Sequence, residues 1–246
     1  MLRVLNIRTA VPMKKPLEAL VAKKLRCSRS DISRLIIVRR SIDARRKPRI
    51  YFVFTVDVEF VDESRVWKRC RDNKDVRQLA ESPAPDIRPG TQPLTHRPIV
   101  IGTGPSGLAA ALALAEHGYA PIVLERVCDG DTRTKHVEQY GRGGPFKASS
   151  NVQFGEGGAG TFSDGKLTTR VNHPLLRRIL QTFVDAGAPE DILYAYNPHV
   201  GTDVLRRVVK NMRHTIEAQG GEVHFSSCVP AIPSDDSGRI TSVTVN

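Results

Sequence analysis

The sequence predicts an α/β protein in two parts, a small α+β domain followed by a parallel-sheet domain that starts from a strand–helix–strand unit. Three observations carry this. "RIYFVFTVDVEF" (49–60) alternates apolar residues with period two, as a half-buried strand does. "PIVIGTGPSGLAAALALAEHGYAPIVLER" (98–126) reads as strand, tight turn, Ala-rich helix, turn and strand. Charge divides between the two: residues 1–97 hold 23 Lys/Arg against 11 Asp/Glu, whereas residues 98–246 hold 14 against 15.

In the first part, "LRVLNIRT" reads as a strand. "KPLEALVAKKL" reads as a helix: Pro16 suits its first turn, and Leu17, Leu20, Val21 and Leu25 share a face. "SRLIIVRRS" is a second strand. In "RIYFVFTVDVEF", Ile50, Phe52, Phe54, Val56, Val58 and Phe60 line one face. "ESRVWKRCRD" is a short helix. Residues 81–98 then hold 5 of the 16 prolines, the composition of a linker. The domain boundaries are therefore 1–80, 81–98 and 99–246. In the last part a Gly-rich loop region (141–168) precedes helices around 174–187 and 203–219. "EVHFSSCV" and "GRITSVTVN" read as closing strands.

The composition, 40% hydrophobic over 246 residues, suits a globular protein with a sizeable core. No apolar run is long enough to span a membrane, and "MLRVLNIRTAVPMKK" lacks the apolar stretch of a signal peptide. A cytoplasmic protein is expected. Cys27, Cys70, Cys128 and Cys228 are far apart and form no C-x-x-C, so they are expected to be reduced, partly buried thiols. No metal-ligand cluster or Ser-His-Asp order is legible among the seven scattered histidines, so no metal site is expected.

Gly102, Gly104 and Gly107 form G-x-G-x-x-G between an apolar strand and a helix. The first glycine allows a tight turn, the second lets backbone approach a pyrophosphate, and the third lets helix pack on strand. The helix N-terminus offers free N–H groups to phosphates. Glu125 ends the next strand and is placed to accept hydrogen bonds from ribose hydroxyls, which disfavours a 2′-phosphate. The pattern predicts a Rossmann-like FAD/NAD(P)-binding domain, and spacing alone leaves FAD and NAD open.

"GTFSDGKL" (160–167) has the G-x-x-x-x-G-K spacing of a P-loop. Leu167 stands where the Mg²⁺-binding hydroxyl belongs, and no apolar strand feeds Gly160, so ATP binding is not expected. The longer "NVQFGEGGAGTFSDGKLTTR" (151–170) suits a second loop that approaches a flavin closely through its glycines. Lys166 could then stabilise charge on a reduced flavin ring. Asp164 is expected to staple the loop.

"GTGPSG…LER", with Pro105 and the Glu125–Arg126 pair, resembles the first nucleotide motif of two-dinucleotide-binding-domain flavoproteins. "RRSIDARRKPRIYFVFTVDVE", "SNVQFGEGGAGTFSDGKLTTR" and "EDILYAYNPHVGTDVLRRVVKNMR" resemble a bacterial group of FAD-dependent, NAD(FAD)-utilising dehydrogenase-like proteins over nearly the whole chain. The resemblance implies a glutathione-reductase-like FAD fold and FAD contacts at Gly102, Gly104, Pro105, Ser106, Gly107, Glu125 and Arg126. It also implies contacts at Gly157, Gly158, Ala159, Gly160 and Thr161, with Lys166 adjacent, and at Val229 after the later strand. Hydride transfer between a small-molecule substrate and flavin is implied, with NAD(P)H as a candidate electron donor. Members of this group run well beyond Asn246, so a truncated, incomplete FAD domain is expected.

Lys166 and His199 are the candidates for catalytic roles, and His173 is a further loop histidine. The basic stretch "RRSIDARRKPR" (39–49) could meet RNA or another anionic partner, but a solvated hairpin loop is the preferred reading. An RNA-associated flavoprotein and an inactive FAD-fold fragment are the alternatives to an FAD-dependent oxidoreductase.

Overall fold

The structure is a computed structural model that describes residues 1–80, 88–169, 171 and 173–246. The first part of the expected linker, residues 81–87, lies outside the described residues. The chain forms two units. One is the N-terminal part together with Asp191–Pro198, and the other is the remaining described chain.

The first unit is an antiparallel sheet with two helices. Its strands are β1 (Leu2–Ala10), β2 (Ile32–Arg46), β3 (Arg49–Phe60) and β4 (Val76–Gln78), in the order β2-β3-β1-β4. Helices α1 (Leu17–Leu25) and α2 (Glu63–Cys70) add Leu17, Val21, Leu25, Val66 and Cys70 to the core. The strands add Leu2, Val4, Phe54, Val56, Val58 and Phe60. The alternation of β3 holds from Phe54 to Phe60, whereas Ile50 is exposed at the strand's open end. On the opposite face Arg3 and Asp57, paired across β1 and β3, make a two-pronged ion pair at 2.7 and 2.8 Å. That explains how Asp57 can be buried.

The basic stretch 39–49 is not the expected loop. Strand pairing continues to Arg46 and Arg49, leaving only Lys47–Pro48 to turn the chain. The edge of β2 is occupied by the chain's own residues 191–198. The Arg40 amide donates to the Tyr194 carbonyl at 2.6 Å, and the Tyr196 amide donates to the Arg40 carbonyl at 3.0 Å. Arg40 also ion-pairs with Asp191 at 3.0 Å, and Arg39 lies over the Tyr196 ring at 4.0 Å.

The second unit contains a parallel sheet of β5 (Ile99–Ile101), β6 (Ile122–Leu124) and β7 (Glu222–His224), in the order β5-β6-β7. Helix α3 (Pro105–Glu116) connects β5 to β6. Between β6 and β7 run α4 (Gly130–Gly141), the glycine loop, α5 (Leu175–Asp185) and α6 (Thr202–Ala218). Leu205, Val208, Val209, Met212 and Ile216 of α6 are buried, as are Leu108, Ala111, Leu112 and Ala115 of α3, against which α6 packs. No helix of the described residues is long and apolar enough to cross a membrane.

Two further expectations need correction, and one element was not foreseen. "EVHFSSCV" is a strand only over 222–224, because Ser226 turns left-handed (φ 54°) and the Ser227 amide donates to the Glu125 carbonyl. "GRITSVTVN" forms no strand; it makes isolated bridges, Ala231 with Thr244 and Ser234 with Ile240. Helix α4 was not legible in its polar sequence, and Asp129 starts it by accepting from the Asp131 and Thr132 amides.

Candidate functional site

The carboxyl ends of β5 and β6 open onto a cleft of about 560 Å³. Its lining includes Gly102, Gly104, Pro105, Glu125, Arg126, Gly158, Ala159 and Val229. Thus eight of the residues singled out in the sequence meet around one cavity, drawn from four separate stretches of chain.

The three glycines of the first loop differ in what they permit. Gly102 has φ 95°, a conformation strained for any residue with a Cβ. A Cβ on Gly107 would run into the Gly102 carbonyl oxygen, so this glycine is what lets α3 sit against β5. A Cβ on Gly104 would meet nothing within 4 Å. Gly104 is also the N-cap of α3, which has Pro105 at its first position and no side-chain cap. The first-turn amides of such a helix are left for an external acceptor.

Thr103, wholly buried, joins the two glycine loops. Its amide and hydroxyl donate to Glu125 Oε2 at 2.7 and 2.6 Å, and its carbonyl accepts from the Gly157 amide at 2.9 Å. Glu125 Oε1 accepts from the Val127 amide at 2.9 Å. The carboxylate expected at a ribose therefore also braces the first loop from inside.

The second loop winds through a short 3₁₀ turn, Gly158–Phe162. Glu156 is buried behind it, accepting from the Gly130 amide at 3.0 Å and from Arg213 Nε at 2.7 Å. Thr161 is buried, and its carbonyl accepts from Arg206 Nε at 3.0 Å. Arg133 of α4 donates to the Glu156 carbonyl at 2.8 Å and to Thr161 Oγ1 at 2.6 Å. At the cleft rim Arg126 lies over the Phe154 ring at 4.0 Å.

Other sequence candidates fall elsewhere. Ser106 lines a separate apolar cavity of about 380 Å³ with residues of α5. Gly157, Gly160 and Lys166 line a third, of about 190 Å³. Lys166 is 69% exposed and pairs with Asp164 at 2.7 Å; that hydrogen bond pushes the lysine's pKa up and the carboxyl's down. His199 is exposed and bridges Lys166 through backbone, while the neighbouring Val200 amide donates to the Gly165 carbonyl at 2.9 Å. His173 lies at the start of α5, where Nδ1 accepts from the Leu175 amide at 3.2 Å. No group of three or more metal-ligating side chains occurs among the described residues.

Sequence reasoning missed Thr103, Glu156 and Arg133. Glu156 had a signal, an acid set among glycines in "FGEGGAG". Thr103 and Arg133 had none, since burial makes them matter.

Residues 1–59 match a family described as a domain of unknown function, DUF8436. Over 230 residues, 94% of the chain, the sequence is 47% identical to a protein of Clostridium beijerinckii (strain ATCC 51743 / NCIMB 8052) described as uncharacterized. The chain spans 43% of that relative's length. Among solved structures it is similar to 3-ketosteroid-Δ4-(5α)-dehydrogenase from Rhodococcus jostii RHA1, in complex with 4-androstene-3,17-dione. That match has 16% identity and a TM-score of 0.37, covering 61% of this chain and 41% of that one.

Proposed function

We propose that the second unit is the dinucleotide-binding part of an FAD-dependent oxidoreductase. The observation that carries the reading is the cleft at the carboxyl ends of a parallel sheet, with an uncapped helix N-terminus and open space over Gly104. The residues present fit the group. The amides at the start of α3 would take the diphosphate, and Arg126 and Val229 would flank the adenosine half. Glu125 Oε1 carries one internal hydrogen bond and keeps a lone pair for a ribose hydroxyl. Gly158 and Ala159 supply backbone from the other side of the cleft. Bound flavin would supply hydride-transfer chemistry between a substrate and an electron partner such as NAD(P)H. The chain's own residues bind and orient. Lys166 and His199 lie on the neighbouring loop pair, and the hydrogen bond to Asp164 pushes the Lys166 pKa up from its ordinary value.

Incubation of the purified chain with FAD, followed by gel filtration and an absorption spectrum, tests the reading. Co-elution of the two flavin bands with protein is expected; a colourless protein peak overturns it for this chain.

An RNA-associated role is the alternative reading: Arg39 and Arg40 are engaged by residues 191–198, whereas Arg45, which pairs with Asp43 at 2.9 Å, and Arg46, Lys47 and Arg49 are exposed at the hairpin tip.

A further inference from the structure

Arg133 is the largest fully buried side chain among the described residues, at 1% exposure. It leaves α4 near its start and enters the second glycine loop from behind. Nη2 donates to the Glu156 carbonyl, to Thr161 Oγ1 and, at 3.4 Å, to the Gly158 carbonyl. All three acceptors belong to that loop. Nε and Nη1 are buried and have no hydrogen-bond partner among the described residues. Unfilled donors on a buried guanidinium are costly and call for an explanation.

The location of Nη1 suggests one. A Cβ on Gly155 would stand 2.7 Å from it, so this nitrogen lies against the bare Cα of a glycine. Gly155 also lines the cleft. It therefore touches the cleft and, at once, a cationic N–H that lacks a hydrogen-bond acceptor, on a guanidinium that lies over the Phe162 ring at 4.9 Å. Burial pushes the Arg133 pKa down, and the nearby Glu125 and Glu156 carboxylates push it back up. A guanidinium keeps its charge in such a place, which an ammonium does not reliably do.

We propose that Arg133 is the positioning residue of the cleft: its Nη2 holds the second glycine loop facing the first, and its unfilled N–H groups present positive charge, past Gly155, to a diphosphate. The loop-holding half stands on geometry alone. The diphosphate half rests on the dinucleotide reading.

The test uses the full chain, with Arg133→Met and Arg133→Lys. Amide hydrogen exchange without ligand reads the loop, at Gly157 and Gly158, whose amides donate to Thr103 and Gly155. Binding of ADP and of adenosine reads the charge. In Arg133→Met these amides should exchange about 10-fold faster or more, while β1 and β3 amides stay protected. ADP affinity should fall about 10-fold or more while adenosine affinity holds, collapsing the ADP-to-adenosine ratio. Arg133→Lys should lose the protection, because an ammonium lacks the planar fork, and should recover at most part of that ratio, because a buried ammonium does not reliably keep its charge. If Arg133→Met does not fold, faster loop exchange in Arg133→Lys still decides the first half. Unchanged exchange in both variants overturns the positioning role. An unchanged ratio in Arg133→Met overturns the charge role with the cleft reading intact. A wild-type chain that binds neither ADP nor adenosine overturns the cleft reading and the charge role together, and exchange still decides the positioning role.

Discussion

The first unit buries apolar side chains, and the second buries polar ones as well. Thirteen apolar residues of the N-terminal sheet and its helices form one cluster, and Asp57 is the single buried charged group there among the described residues. In the second unit Thr103, Glu125, Arg133, Ser150, Glu156 and Thr161 are all buried. Five of these six brace the two glycine loops. Polar burial gains little stability, because each group must be desolvated before it is paired. It does fix geometry. The contrast teaches that the first unit's interior is organised for stability, whereas the second unit's interior is organised around a cleft.

Substitutions should separate the two. Leu25→Ala removes a wholly buried side chain from the apolar cluster and should cost about 2–5 kcal/mol in unfolding of the first unit. Denaturant melts followed at Trp67, on α2, would show it, with dinucleotide binding unchanged. Thr103→Val keeps shape but leaves Glu125 Oε2 short of its hydroxyl donor. A loss of about 1–3 kcal/mol is expected in the second unit, together with weaker binding, since both loops meet at this residue. If Thr103→Val lowers stability yet leaves binding intact, the claim that buried polar groups shape the cleft fails.

The smallest effect concerns a charge on the first unit's rim. Lys24 donates to Asp75 Oδ2 at 2.7 Å, and that bond, with a second from Asn6, holds the Asp75 carboxyl below its usual range. A depressed folded-state pKa contributes stability above the unfolded value near 4 and loses it as pH falls through the folded one. Asp75→Asn should therefore cost no more than about 1 kcal/mol at neutral pH and flatten the acid side of the first unit's stability profile. Urea melts at descending pH would check this; an unflattened profile would remove Asp75 from the account.

Legibility in the sequence followed the same division. Period-two alternation disclosed β3, because that strand buries one face against a core, and the helix expected around 203–219 is α6, Thr202–Ala218. The glycine fingerprint was readable because Gly102 and Gly107 answer backbone needs, while Gly104 leaves open space at the cleft. Helix α4 carries a single apolar residue, Val137, in its middle and was missed. "GRITSVTVN" is rich in β-branched residues, yet Ile240 and Val245 are exposed, since composition does not supply a neighbouring strand. Of the candidate site, eight lining residues were named from the sequence while Ser106, Gly157, Gly160 and Lys166 line other cavities, and the bracing was not legible. Arg133 and Thr103 act through burial by segments distant in sequence, which no local pattern records.

Calorimetric titration with FAD of the wild-type chain and of Gly104→Asp tests the central claim most directly. Gly104 has open space where its Cβ would stand, so the aspartate should fold normally and place its carboxylate where the proposed diphosphate would sit. The account predicts saturable one-to-one binding by the wild type and at least about 100-fold weaker binding by a folded Gly104→Asp. Equal affinity in the two proteins, or no binding by the wild type, would contradict it.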